Sequence, residues 1–209
     1  MSKIVILGAG IAGHTAAAHL RKKLAKEHEV LVVSPNSNYQ WVPSNIWVGV
    51  GRMNPKEVIF PLEPLYKKKG IGFKQAKAVN FFPDGDLQED KPYIIAEYVA
   101  GEKKGQHEKI TYDYLINATG PRLAFDQTEG LNPGENNMYS VCTYGHAEHA
   151  AEGLKELEDK LKKTNQKLKV LIGTGHPKAT CQGAAFEYIL NVENELRRKG
   201  LRNNVEIHW

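Results

Sequence analysis

The stretch Lys3-Ile-Val-Ile-Leu-Gly-Ala-Gly-Ile-Ala-Gly-His-Thr-Ala-Ala-Ala-His-Leu20 constrains the chain more than any other. Four apolar residues, Ile4 to Leu7, run straight into Gly8. Gly10 and Gly13 follow, and then an Ala-rich helix-forming segment. An unbroken apolar run suits a strand buried on both faces of a parallel sheet. Gly8 permits a tight turn, Gly10 lets the backbone approach a pyrophosphate, and Gly13 lets the helix pack closely on the strand. The first helical N–H groups and the helix dipole then face the phosphates. The motif is weak alone, but here it follows a strand and opens a helix, the two contexts that support a dinucleotide loop. Three glycines placed for packing alone would loosen the turn to no purpose.

The chain has 209 residues, enough for one large domain or two small ones. A charged fraction of 25% and a hydrophobic fraction of 41% fit a globular protein with a sizeable core. The net charge of +4 is mild, and its lysine runs (Lys67–Lys69, Lys103–Lys104, Lys162–Lys163) are interleaved with acids. Nucleic-acid binding is therefore not expected. No apolar run approaches the roughly 20 residues of a membrane helix, and no signal peptide precedes the first strand. The chain by itself reads as soluble. The two cysteines, Cys142 and Cys181, do not suggest a stapled secreted fold, so they are read as reactive thiols. No metal site is expected.

A helix is predicted over about Ile11 to Glu27 and a second strand over Glu29–Val33, which completes a β–α–β unit. The acid that normally binds a ribose at the end of that strand is replaced by Ser34. The segment from Tyr39 to Gly51 is aromatic and rich in Pro and Gly, and reads as an ordered loop or short helix. Pro61–Lys69 suits a helix stopped by Gly70. Strands are predicted at Gly72–Lys74, Lys77–Phe82, Tyr93–Val99 and Lys109–Tyr112, with a hairpin at Asp84-Gly85 and a flexible charged loop over Gly101–Glu108. Together they form a small antiparallel meander. Tyr114–Pro121 reads as a buried strand ending in Thr-Gly-Pro. His146–Lys163 reads as a helix with Ala147, Ala150, Ala151, Leu154, Leu157 and Leu161 on one face. Lys169–Cys181 begins a second strand–turn–helix. Its helix covers about Gln182–Lys199, Gly200 stops it, and Val205–Trp209 is a further strand. In this second loop Gly173 and Gly175 are followed by His176, Pro177 and Lys178. Pro177 removes a backbone donor, so a nicotinamide nucleotide is not expected there.

Gly-Ala-Gly-Ile-Ala-Gly at the start, Ala118-Thr-Gly-Pro121 in the middle and a second, degenerate unit together resemble the flavoprotein disulfide reductases built on two dinucleotide folds. Within them, four segments are similar to the sulfide:quinone oxidoreductase family. These are Val30–Ser34, Gln40-Trp-Val-Pro-Ser-Asn-Ile-Trp-Val-Gly-Val-Gly51, Ser140-Val-Cys-Thr-Tyr-Gly-His-Ala-Glu-His149 and Thr180-Cys-Gln-Gly-Ala-Ala-Phe-Glu-Tyr188. The resemblance implies an α/β fold. A Rossmann-like FAD-binding unit with an inserted meander would span residues 1–121, and an incomplete second Rossmann-like unit residues 122–209. It implies FAD as cofactor, with Gly8, Gly10, Ile11, Ala12 and Gly13 at the phosphates. Ser34 would lie near the ribose, Lys77 and Ala78 at the adenine, and Thr119 and Gly120 near the cofactor. Pro43 would lie at the flavin; independently of the resemblance, two tryptophans, Trp41 and Trp47, in one glycine-rich loop beside a dinucleotide fingerprint suit a place against a flat flavin ring.

The same resemblance implies that Cys181 is the redox-active cysteine and Cys142 an assisting one. His146 and Glu187 would handle protons. Sulfide would be oxidised at the cysteine site and electrons passed to a quinone. Cys181 at a helix N-terminus is placed to favour a thiolate. His146, four residues beyond Cys142, could share a cleft with it. A flavocytochrome-type sulfide dehydrogenase flavin subunit, a type II NADH dehydrogenase and a non-catalytic nucleotide-binding module remain as alternatives. The family is about twice this length. Its later half supplies a partner cysteine and helices that reach quinone at a prokaryotic cytoplasmic membrane. The chain thus reads as an N-terminal fragment, expected to hold FAD poorly and to be inactive alone. Its oligomeric state is open.

Overall fold

The computed structural model describes every residue except Asn165, Pro177 and Thr180. The chain divides into two compact units, one of Met1–Gln40 and Ile59–Arg122 and the other of Trp41–Val58 and Leu123–Trp209. The sequence reading divides the chain once, at 121/122, whereas this division follows contacts and takes Trp41–Val58 out of the first part. Trp41–Val58 belongs to the second unit, where Val50 enters the core and Asn45 and Gly49 are bonded to Val141 and Tyr188.

In the first unit, β1 (Lys3–Leu7) is followed by α1 (Ile11–Lys23) and β2 (Glu29–Ser34). A short hairpin pairs β3 (Asn38–Gln40) with β4 (Ile59–Pro61), on either side of the excursion through α2 (Asn45–Val48). Then come α3 (Leu62–Lys69), β5 (Gly72–Phe82), β6 (Tyr93–Tyr98), β7 (His107–Thr111) and β8 (Tyr114–Asn117). One six-stranded sheet has the order β7-β6-β5-β2-β1-β8. The central strands are parallel and the β5-β6-β7 end is antiparallel.

The apolar run of β1 is explained by its two faces. Ile4 and Ile6, with Val30 and Val32 of β2, pack beneath Ala17 of α1 and Leu62 and Tyr66 of α3. Val5 and Leu7, with Leu31 and Val33, pack on Ala76, Ile94, Ala96 and Ile110 of the meander. Each such fully buried side chain contributes roughly 1.5–3 kcal/mol.

Several expectations are corrected. Gly72–Lys74 and Lys77–Phe82 form one strand, β5, which pairs with β2 as far as Gln75 and carries on against β6 past a bulge between Ala78 and Asn80. The bulge absorbs a change of partner without breaking the strand. Helix α1 stops at Lys23, where Leu24 turns extended and the Arg21 guanidinium donates to the carbonyls of Leu24, Ala25 and His28. Strand β8 is an edge strand with an exposed Tyr114 and not a buried one. His107 and Glu108 lie in β7, inside the stretch expected to be a loop.

In the second unit, α4 (Tyr144–Lys163) precedes β9 (Leu168–Leu171), α5 (Gln182–Arg198) and β10 (Val205–His208). Strands β9 and β10 pair in parallel. Leu154, Leu161, Val192, Leu196, Leu201, Val205 and Val50 form the core. Two buried acids share it. Glu158 accepts from Lys199 at 2.7 Å, and Glu195 pairs with Arg52. Removing Lys199 would leave the Glu158 charge buried without that partner, which is destabilising, whereas Glu195 also keeps a contact with Arg198 at 3.5 Å.

Between α1 and α3, His14 sits in a ring cluster with Tyr39, Phe60 and Tyr66, and its Nδ1 is hydrogen-bonded to the Tyr66 hydroxyl at 3.1 Å. Burial, and then Tyr39, push the Tyr66 phenol up to about 12. Burial, and then the charge of Lys69, hold His14 below its ordinary 6.5. The unfolded chain therefore takes up a proton that the folded chain resists. Stability is full above the unfolded value and falls as the pH drops through it towards the folded one. The urea midpoint is expected to decline from about pH 7.5 to about pH 5.5, and His14→Gln to flatten that decline. An unchanged slope in the variant would assign the pH dependence to other histidines.

Candidate functional site

The first unit brings together the residues expected at a dinucleotide. Gly8 has φ +93°, and a Cβ on it would lie 2.3 Å from the Ala118 carbonyl oxygen and 3.0 Å from Thr119 Cα. A Cβ on Gly13 would lie 2.1 Å from the Gly8 carbonyl oxygen. These two glycines let the β1–α1 turn, the start of α1 and the end of β8 converge. Gly10 differs. It has an ordinary extended conformation, with φ −72°, and a Cβ there would meet no atom within 4 Å. Nothing in the fold itself calls for glycine at that position, whereas a phosphate approaching the backbone would. Gly10 caps α1 with no side-chain hydrogen bond, and the first turn contains no acid. The N–H groups of Ile11, Ala12 and Gly13 thus open a helix with no carboxylate competing for them. This end of the sheet fits a dinucleotide pyrophosphate.

The other expected positions lie around that turn with different qualities. Thr119 is held by Asn117, whose Oδ1 accepts from its N–H at 3.2 Å and its hydroxyl at 2.8 Å. Gly120 follows with φ +71°. Ser34 ends β2 but is 1% exposed, and its Oγ accepts from the Asn36 N–H at 3.3 Å. Its hydroxyl is thus engaged in the turn after β2. Lys77 and Ala78 lie where β5 has passed the end of β2 and pairs with β6 alone.

The second unit holds Pro43, Cys142, His146, Cys181 and Glu187. Pro43 is exposed in a 3-10 turn, Val42–Ser44, that leads into α2. Trp41 and Trp47 flank it at 48% and 39% exposure, so neither is a core residue. Both cysteines are exposed free thiols. The Cys142 N–H donates to Ser140 Oγ at 3.1 Å. Thr143 caps α4 by accepting from the His146 N–H at 3.1 Å. His146 packs edge-on against Phe125, and among the described residues its buried Nδ1 has no hydrogen-bond partner. Cys181 is the N-cap of α5 with no side-chain cap bond, and Glu187 is exposed on the same helix. Among the described residues no cluster of His, Cys, Asp and Glu could hold a metal ion.

The second glycine loop is open at Gly173, where a Cβ would meet no atom within 4 Å, and crowded by a side chain at Gly175. A Cβ on Gly175 would lie 2.2 Å from Leu131 Cδ1, and the Lys178 N–H donates to His176 Nδ1 at 3.1 Å. Pro177 lies outside the described residues.

A family model of pyridine nucleotide-disulphide oxidoreductases matches residues 2–178. The chain belongs to that family. It is 30% identical over 202 residues to the sulfide-quinone reductase of Aquifex aeolicus, covering 97% of this chain and 41% of the relative. It is 27% identical to the mitochondrial sulfide:quinone oxidoreductase of Dictyostelium discoideum, covering 100% of this chain and 42% of the relative. The X-ray structure of the Aquifex aeolicus sulfide:quinone oxidoreductase superposes with a TM-score of 0.80 at 29% identity over 98% of this chain and 42% of that one. The NDH2 structure from Plasmodium falciparum, at 22% identity and a TM-score of 0.62, shares the fold. The chain spans about two fifths of the length of these relatives.

Three residues of the second unit carry no role in the sequence reading, although the segments that contain them stand out. Asn45 is 1% exposed and its Nδ2 donates to the Val141 carbonyl at 3.0 Å. The Tyr188 hydroxyl donates to the Gly49 carbonyl at 3.0 Å, and burial raises the Tyr188 phenol strongly. A buried Asn in a Pro-Ser-Asn turn is a signal that sequence offers without naming its partner.

The two kinds of glycine predict different phenotypes. Gly13→Ala is expected to lower unfolding stability by about 2–4 kcal/mol, because its Cβ would strike backbone. Gly10→Ala is expected to stay within about 1 kcal/mol of the parent in urea titrations, with its effect confined to nucleotide binding.

Proposed function

We propose that this chain forms the FAD-binding and sulfur-reacting portion of a flavoprotein that oxidises sulfide and reduces quinone. The observation that carries this reading is the alignment with the Aquifex aeolicus sulfide-quinone reductase over 97% of the chain. The open Gly10 turn and the exposed thiols support it. Gly8, Gly10, Ile11, Ala12 and Gly13 hold the pyrophosphate, Lys77 and Ala78 offer backbone groups to the adenine, and Thr119 and Gly120 close the turn beside it. Pro43 lies against the flavin. When bound, FAD supplies a two-electron acceptor for sulfide sulfur.

Cys181 is the redox centre. It stands at the N-cap of α5 as an exposed thiol with no side-chain cap bond. A disulfide at Cys181 exchanges with hydrosulfide, so that one S–S bond breaks, a persulfide forms and the other sulfur leaves as thiolate. Cys142 assists, and His146 and Glu187 move the proton of hydrosulfide. The quinone and membrane contacts belong to the longer protein, which works on a prokaryotic cytoplasmic membrane. Among the described residues no helix of this chain is long and apolar enough to cross it. The type II NADH dehydrogenase reading is disfavoured by the second loop, where Leu131 lies on Gly175 and His176 takes the Lys178 N–H.

In a protein that carries this chain with the remainder of the family's length, sulfide is expected to reduce a short-chain ubiquinone analogue. Cys181→Ser should lower kcat by roughly a thousandfold and Cys142→Ser by less. Reduction driven by NADH instead of sulfide would overturn the assignment. The isolated chain, mixed with FAD and passed through gel filtration, is expected to elute colourless and without activity. A stable yellow protein would refute that part of the reading.

A further inference from the structure

Helix α2 meets both cysteine-bearing segments through bonds formed within the second unit. Asn45 opens α2, and its buried amide holds the carbonyl of Val141, the residue before Cys142. Gly49 ends α2, and its carbonyl accepts from Tyr188 on α5, the residue after Glu187. The missing side chain of Gly49 completes the junction. A Cβ there would lie 2.8 Å from Val141 Cγ1 and 2.9 Å from Tyr188 Cε2. The Cys142 segment and the helix that begins at Cys181 thus converge on one atom of α2.

We infer that Asn45, Gly49 and Tyr188 are positioning residues for the sulfur site, with α2 acting as the strut that fixes the Cys142 segment against α5. The inference rests on the proposed roles of the two cysteines, but the strut itself is geometry of this chain. Asn45 supplies a directional bond on one side and Tyr188 on the other. Both bonds are partly buried, where a lost partner leaves a carbonyl poorly satisfied and the segment it holds opens more readily. Pro43 stands two residues before Asn45. The loop assigned to the flavin and the segment carrying Cys142 are therefore set by the same short helix.

The test follows backbone hydrogen exchange of the 209-residue chain over 139–146 and over α5. Asn45→Ala is expected to quicken exchange over 139–146 about fivefold, the factor that one net hydrogen bond contributes to a local opening equilibrium, and to leave α5 unchanged. Tyr188→Phe removes only the hydroxyl that donates to Gly49, so it is expected to quicken exchange over α5 and leave 139–146 unchanged, which keeps the strut testable even if Asn45→Ala fails to fold. Equal changes over both segments in either variant, or no change over 139–146 in Asn45→Ala and over α5 in Tyr188→Phe, would overturn the strut. No sulfide, quinone or flavin is present in this test, so a failed redox assignment and a failed strut give different results.

Discussion

The first unit depends on one close approach, the backbone of Gly8 against the carbonyl of Ala118. A side chain at Gly8 would stand 2.3 Å from that oxygen, and one at Gly13 would stand 2.1 Å from the oxygen of Gly8. Two hydrogens in place of two methyl groups therefore let β1, α1 and β8 meet at a point. The apolar run of β1, sandwiched between two helices and the meander, supplies the burial that holds this crowded turn. The start of α1 is thereby fixed at the carboxyl end of the parallel strands, where open α/β sheets bind their ligands.

The second unit solves a different problem. Its two-stranded sheet is small, and its core is completed by Val50 from the excursion between β3 and β4. Several polar groups there are paired across the chain. Glu158 meets Lys199, Glu195 meets Arg52, Asn45 meets Val141 and Tyr188 meets Gly49. Each bond joins segments far apart in the chain, so the thiol-bearing loop and helix are held by partners that neither segment contains. The two glycine loops differ at their second glycine. Gly10 faces open space, while Gly175 lies under Leu131.

Much of the fold was legible because period and punctuation are local signals. The unbroken run Ile4–Leu7 marked a strand buried on both faces, the spacing of Ala147, Ala150, Leu154 and Leu161 marked the inward face of α4, and Gly70 and Gly200 stopped helices with φ of +68° and +70°. Tyr114–Asn117 misled because apolar content does not distinguish a central strand from an edge strand. The bulge in β5 was missed because continuity through a change of partner leaves no mark in composition. For the candidate site, the glycine turn was readable as a motif. Ser34 was readable as a substitution but not as a buried turn anchor.

By itself the sequence determined the α/β class, the glycine turn between β1 and α1, and the family. These follow from short-range chemistry, namely glycine conformations, apolar periodicity and the residues that flank each motif. Tertiary structure alone decided that Gly8 closes on the Ala118 carbonyl at the end of β8, and that Trp41–Val58 folds with the second unit. It alone placed one short helix against both cysteine segments. Those outcomes rest on which carbonyl or side chain arrives from a hundred or so residues away, as with Asn45 and Val141, and no local pattern encodes that arrival.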